Sequence, residues 1–274
     1  MIFLYRYILM ILIGIPVYGG QGYADFFMSV MNLVKVFDSK NIRYEIKLIQ
    51  HESLITRARN GLVAMFMSNP NFSKLLFLDC DIAFSPDTII SMLDQHKPIV
   101  GAAYPKKMIN WNKVKHFANK VKSQTELQFR ATDMNYNFKY YDTNKVKIEN
   151  DFVEVLDIPT GCMLIDKRAM SIIINKNRDT RYTNNCAGYG NSACFYDLFK
   201  TGVVEIKGVP TYLSEDYYFC HLAREAGIAL WLSTKASLIH IGRCDYMGNL
   251  GMILADPSGE RLDKDNQLIL GLST

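Results

Sequence analysis

Two aspartates, Asp79 and Asp81, close the apolar run Leu75-Leu76-Phe77-Leu78, with Cys80 between them. If that run is a buried strand, alternate residues share a face and both carboxylates point the same way. Paired carboxylates suit a hard divalent cation, and the end of a parallel strand is where open α/β sheets keep their ligands. His240 closes a second apolar run, residues 237–241. As a third ligand, a neutral imidazole moves the preference from Mg2+ toward Mn2+. Gly242 next to it permits close backbone approach to a phosphate. At Ser214-Glu215-Asp216-Tyr217-Tyr218 a helix begins. Capping and the helix dipole account for the serine. They do not call for two acids followed by two tyrosines, and a carboxylate there is placed to deprotonate an incoming hydroxyl. The plainer alternatives are a solvated turn, a simple cap and a packed histidine.

Cationic groups accompany these acids. Arg57-Ala58-Arg59-Asn60 lies early in a helix, where residues two apart do not share a face. One arginine is therefore expected to reach a phosphate or base while the other is solvated. Tyr104-Pro105-Lys106-Lys107 follows a strand and brings a cation toward a diphosphate.

The elements that must position these groups alternate along the chain. Strands are predicted at residues 8–15, 42–49, 75–78 and 98–103, with helices at 22–38 and 53–67. A further helix begins after Ser85 as N-cap with Pro86 at its first position. After an irregular stretch, strands are predicted at 151–156, 161–165, 228–232 and 237–241, with helices at 169–175 and 215–226. This alternation predicts a layered α/β domain with a mostly parallel central sheet.

With 274 residues, 49% of them hydrophobic, the chain can bury a full core without staples. Its net charge of +4 is too mild to argue for nucleic acid. The excess is local: residues 106–147 hold ten Lys/Arg against three Asp/Glu. The six cysteines form no CxxC pair and read as thiols in a reducing compartment. A Cys186–Cys194 bridge is the alternative for a secreted chain. The uninterrupted apolar part of the N-terminus, residues 8–15, is shorter than the roughly 20 residues that span a bilayer. It reads as a buried strand rather than a membrane anchor, and the chain is expected in the cytoplasm.

Seven segments in order resemble the GT-A glycosyltransferases, closest in look to small viral, phage and bacterial members. They are Ile-Gly-Ile-Pro-Val-Tyr-Gly, Arg-Ala-Arg-Asn, Phe-Leu-Asp-Cys-Asp-Ile, Gly-Ala-Ala-Tyr-Pro-Lys-Lys, Thr-Gly-Cys-Met-Leu-Ile, Leu-Ser-Glu-Asp-Tyr-Tyr-Phe-Cys and Leu-Ile-His-Ile-Gly, spread over residues 11–249. The resemblance implies one Rossmann-like GT-A domain over residues 1–274. Its donor half is about 8–105, its variable basic segment about 106–150 and its acceptor half about 151–250. It implies that Pro16, Val17 and Tyr18 lie against the nucleotide's base and ribose, and that Arg59, Asn60, Lys106 and Gly161 contact the donor. Asp79 would meet the ribose or the metal's water shell, Asp81 and His240 would hold Mn2+ or Mg2+, and Asp216 would be the base of an inverting displacement. Glu215 would be the alternative base or a sugar-hydroxyl contact.

The donor so implied is a nucleotide sugar, with UDP the expected carrier, and the acceptor a hydroxyl on a glycan, protein or lipid. Residues 106–147 match nothing firm. Their charge suits an acidic acceptor or a membrane surface, against the plainer reading of a solvated loop. Sequence does not fix inversion over retention. A virus-infected host cell is the setting that the look of the family suggests. The competing readings are a nucleotide-sugar binder without transfer activity and a sugar nucleotidyltransferase. The latter wants a cation beside its phosphate loop, and no Lys or Arg occurs between Pro16 and Lys35.

Overall fold

The computed structural model describes residues 10–109, 111–112, 136–139, 146–186, 188–189 and 195–242. Most of the basic segment, Cys194 and everything beyond Gly242 therefore lie outside the described residues. The chain divides into two compact units, Met1–Ile241 and Gly242–Thr274. All of the described helices and strands belong to the first.

The elements run β1 (Met10–Val17), α1 (Ala24–Ser39), β2 (Arg43–Gln50), α2 (Ile55–Ser68), β3 (Lys74–Leu78), β4 (Ile82–Ala83), α3 (Pro86–Asp94) and β5 (Ile99–Ala102). Then come β6 (Ile148–Glu149), β7 (Phe152–Val155), β8 (Cys162–Asp166), α4 (Lys167–Lys176), β9 (Gly202–Ile206), β10 (Val209–Leu213), α5 (Glu215–Glu225), β11 (Leu230–Ser233) and β12 (Ile239–His240). Local chemistry accounts for several boundaries. Ser85 caps α3 by accepting from the Asp87 amide, with Pro86 next to it, as predicted. Asp166 caps α4 the same way, which starts that helix two residues before its predicted position.

Eight strands form one sheet in the order β2-β1-β3-β8-β5-β11-β7-β6. Strand β8 is antiparallel to both β3 and β5, and β7 is antiparallel to both β11 and β6. The other six strands share one direction, so the predicted mostly parallel sheet is present with two reversed members. The β1 strand continues through Pro16 to Val17. Its pairing with β3 ends at Gly14, so the missing proline N–H costs no bond on that side.

Alternating side chains build a core on each face. Ile11, Ile13 and Ile15 of β1 pack with Leu76 and Leu78 of β3 against α1 and α3. Leu12, Leu75 and Phe77 face α2, α4 and α5 instead. Each fully buried aliphatic or aromatic side chain contributes about 1.5–3 kcal/mol. The result is three layers, helices on both faces of a mixed sheet.

A hairpin that the sequence reading missed, β9–β10, precedes α5. Its two-residue turn is Lys207-Gly208, both with positive φ. A two-stranded pairing of β4 with β12 sets His240 opposite Ile82.

Gly61 of α2 lies under the Tyr189 ring, and a Cβ there would stand 2.1 Å from its Cε1. The Tyr189 hydroxyl donates to Glu52, which also receives Arg57, so the ring has little room to yield. Gly61→Ala should destabilise the fold by about 1–3 kcal/mol through overpacking, read as a lower urea midpoint; an unchanged midpoint would contradict this packing.

Candidate active site

The carboxyl ends of β1, β2 and β3 lie at one edge of the sheet, with Val17 level with Gln50. Because β8 is reversed, its first residue, Cys162, stands opposite Leu78 at that same edge. The Asp79 amide donates to the Gly161 carbonyl there at 2.9 Å. Open α/β sheets keep their ligands at an edge of this kind.

Asp79-Cys80-Asp81 is past the end of β3, and its last two residues form a turn into β4. This corrects the expectation of two carboxylates sharing a strand face, because strand alternation stops at Leu78. The two acids have different partners. Asp79 accepts from Arg59 Nη2 at 3.2 Å, and Arg59 Nη1 lies 3.1 Å from its other oxygen. Asp81 Oδ2 is 2.6 Å from Lys107 Nζ and 3.4 Å from His240 Nε2. Burial alone would raise the Asp81 carboxyl; His240 and Lys107 outweigh it and hold it at about 2.

His240 is oriented by its other nitrogen. Nδ1 lies 2.8 Å from the Pro105 carbonyl oxygen. A carbonyl only accepts, so Nδ1 carries the proton and a neutral ring turns the Nε2 lone pair toward Asp81. In that tautomer two electron-pair donors face each other and need a cation between them; with Nε2 protonated as well, it donates to Asp81, the arrangement in which His240 holds that carboxyl down. Donors each roughly 2.1 Å from one ion, the Mg2+ distance, sit about 3 Å apart in neighbouring coordination positions. The 3.4 Å separation is near that. Among the described residues, no group of three or more His, Cys, Asp or Glu converges on one metal position. Asp79 is therefore not joined to Asp81 and His240 as a third ligand, because Arg59 takes its carboxylate. Among the described residues the candidate donors are therefore two, Asp81 and His240.

Arg59 is buried, and its Nε is 3.7 Å from Glu215 Oε1. It thus faces two acids instead of reaching out to a nucleotide, as the sequence suggested. Asn60 is also spent on structure. Its carbonyl oxygen accepts the Leu198 and Phe199 amides and its amide donates to Asp197. Phe199 in turn stacks on Phe219 of α5 at 4.3 Å, so Asn60 helps set that helix. Arg57, the half-exposed member of the pair, is bidentate to Glu52.

At the start of α5, Ser214 occupies the cap position without capping. Its hydroxyl donates instead to Asp216 Oδ1, which also accepts the Tyr217 amide. Oδ2 has no hydrogen-bond partner among the described residues. Burial raises the Glu215 carboxyl, with Arg59 opposing the rise and Asp216 adding to it. The two acids therefore differ in setting: Asp216 has one oxygen held and one open, while Glu215 is partly buried against Arg59.

Tyr104, which the sequence reading did not single out as a site residue, links the halves. Its ring meets His240 edge-on at 4.9 Å and its hydroxyl accepts the Gly161 amide. Burial pushes its phenol well up, and the neighbouring Asp79 adds to the rise. A Cβ on Gly161 would stand 2.5 Å from the Tyr104 hydroxyl and 2.9 Å from Asp79 Oδ2. Only glycine fits there. A continuous series of contacts thus runs Lys107, Asp81, His240, Tyr104, Gly161, Asp79, Arg59, Glu215. Among the described residues, the buried side-chain N and O atoms without a hydrogen-bond partner are Arg59 Nε and Nη1, Asp79 Oδ1 and Thr160 Oγ1. Arg59 Nη1 and Asp79 Oδ1 nevertheless face each other as an ion pair at 3.1 Å and Arg59 Nε faces Glu215 at 3.7 Å, which leaves Thr160 Oγ1 beside the series without a partner among the described residues.

Of the residues expected at the base, Pro16 and Val17 are buried, and Tyr18 is 73% exposed. Only Tyr18 offers a ring. It opens a turn in which Gly19 and Gly20 both have positive φ. Next to Gly20 lies His51, which borders a 450 Å³ hollow with Gln50, Glu52, Arg57 and Tyr189. Lys106 and Lys107 are both exposed, and it is Lys107 that pairs with Asp81.

No protein-family model matches the sequence, and no curated protein matches it. Solved structures similar to the chain include A197 from STIV, at 14% identity and a TM-score of 0.40 over 88% of this chain and 100% of that one. Another is GalNAc-T7 crystallised with UDP, GalNAc and Mn2+, at 8% and 0.44 over 87% of this chain and 45% of that one. A third is the catalytic domain of Drosophila beta1,4galactosyltransferase 7 in complex with xylobiose, at 10% and 0.41 over 86% and 71%. With TM-scores below 0.5, these likenesses add no weight to any residue's role.

Proposed function

We propose that the chain is a metal-dependent glycosyltransferase that moves a sugar from a nucleotide-sugar donor, with UDP as carrier, to a hydroxyl acceptor. The observation that carries this reading is the pair His240 Nε2 and Asp81 Oδ2, two electron-pair donors 3.4 Å apart with a lysine ammonium beside them. Asp81 and His240 are the residues that would hold Mn2+ or Mg2+. When bound there, the ion supplies Lewis-acid neutralisation of the diphosphate leaving group.

The rest falls to the chain's own side chains. Tyr18 stacks on the base. Gly161, lacking a Cβ, leaves room for the donor beside Asp79. Arg59 holds Asp79 and Glu215 in fixed places from beneath. Asp216 Oδ2 takes the proton of the acceptor hydroxyl as that oxygen bonds to the anomeric carbon and the bond to the diphosphate oxygen breaks. Oδ1, fixed by Ser214 and the Tyr217 amide, aims it. Glu215, which faces Arg59 at 3.7 Å, is given the hydrogen bond to a sugar hydroxyl, and the proton abstraction is left to Asp216. The acceptor is a glycan, protein or lipid carrier, and inversion is the expected outcome.

A binder that has lost transfer is the second reading, and donor hydrolysis separates the two. Incubated with a UDP-sugar and Mn2+ but no acceptor, the protein should release UDP slowly above the rate in buffer. An intact donor after prolonged incubation, with UDP still bound, would favour the binder.

A further inference from the structure

We propose that Lys107 is a resident counter-cation of the candidate metal position, displaced when a divalent cation binds and then available to the donor's diphosphate. The inference rests on the metal-dependent reading above. Three observations carry it. Lys107 Nζ lies 2.6 Å from Asp81 Oδ2, the oxygen that also faces His240 Nε2. No other lysine or arginine on the described residues contacts Asp81, while Asp79 has Arg59, which it shares with Glu215. The lysine comes from an exposed stretch, residues 106–109, and its own side chain is 39% exposed. It can therefore move without disturbing the core.

The displacement follows from charge. A divalent cation on Asp81 Oδ2 and His240 Nε2 would stand within a few ångströms of the ammonium, and like charges that close repel strongly at the edge of a low-dielectric interior. The ammonium leaves Asp81 and needs an anion. The diphosphate of the donor, bound at the same ion, is the nearest new one. Lys107 then opposes metal binding in the free protein and supports nucleotide binding in the complex. Removing it should move the two affinities in opposite directions.

The test is Lys107→Met, which keeps the aliphatic stem, with free Mn2+ followed by its aqueous-ion resonance and UDP by thermal shift. Without nucleotide, the variant should bind Mn2+ about five- to tenfold more tightly than the parent, the worth of a half-exposed charged hydrogen bond. The gain should persist at 0.5 M NaCl, where a field acting through solvent is screened. With Mn2+ saturating, UDP should bind the variant more weakly by a similar factor. Unchanged Mn2+ affinity in the variant, or a gain that disappears in salt, would overturn the displacement while leaving the metal site standing. UDP binding as tight as the parent's would overturn the diphosphate role. If neither protein bound Mn2+ yet both bound UDP, the metal-dependent reading would itself be wrong, and this inference with it.

Discussion

Asp216→Asn should leave UDP and Mn2+ binding unchanged and lower sugar transfer by about 10²- to 10⁴-fold, the range a positioned general base contributes. The variant suits the question because of how Asp216 is held. Oδ1 accepts both the Ser214 hydroxyl and the Tyr217 amide. Asparagine keeps a carbonyl oxygen for those two donors, so the start of α5 keeps its shape. What is lost is the basic lone pair on the open side. The expected pattern is a fall in kcat with little change in the donor's KM, which marks an interaction used in the transition state. Glu215→Gln should behave differently, raising the donor's KM more than it lowers kcat, because a residue that contacts the sugar without taking the proton acts in binding rather than in the chemical step. Transfer by Asp216→Asn at the parent rate would remove Asp216 from the base role.

Asp81→Ala should abolish the part of nucleotide binding that depends on Mn2+. In the parent, a nucleotide at 100 times its dissociation constant should stabilise the fold by about 2.7 kcal/mol; in the variant the shift with Mn2+ should fall to the shift without it. The backbone is spared, because the Asp81 carbonyl still accepts the Ile241 amide. His240 also keeps its bond to Pro105. The side chain has a stability signature of its own. Its carboxyl titrates at about 2 in the folded chain and near 4, roughly, in an unfolded one. A lowered carboxyl contributes stability that is complete above the unfolded value and is lost as pH falls through the folded one. Parent and variant should thus differ most above about pH 4 and converge as pH falls toward about 2. A difference that stayed constant through that window would mean Asp81 has no such partners.

The first part of the fold, through β5, was legible because its signals are local. The strand at β1, the helix period of α1 and α2, and the Ser85-Pro86 cap all lie within a few residues of what they determine. Strand direction is not local. Whether residues 161–165 run with or against β3 depends on which neighbour they meet, and β8 is reversed between two strands distant in sequence. The site was legible as a set of residues and not as a set of partners. Asp79 and Asp81 were found, but their shared face was inferred from a strand that stops one residue earlier. Arg59 and Asn60 were found, but their burial follows from where α2 packs. The choice between Lys106 and Lys107 depends on how the chain leaves Pro105, a backbone detail that residue types do not encode. The β9–β10 hairpin left one readable trace, the glycine after Lys207, and its apolar alternation was too weak to register beside it.

The most direct test of a nucleotide-sugar site at the Asp81–His240 pair is a thermal-shift panel of UDP, GDP, CMP and dTDP, each with and without Mn2+. UDP should stabilise the protein only when Mn2+ is present, with a smaller or absent shift from the other three. No shift with any nucleotide, with or without the ion, would contradict such a site.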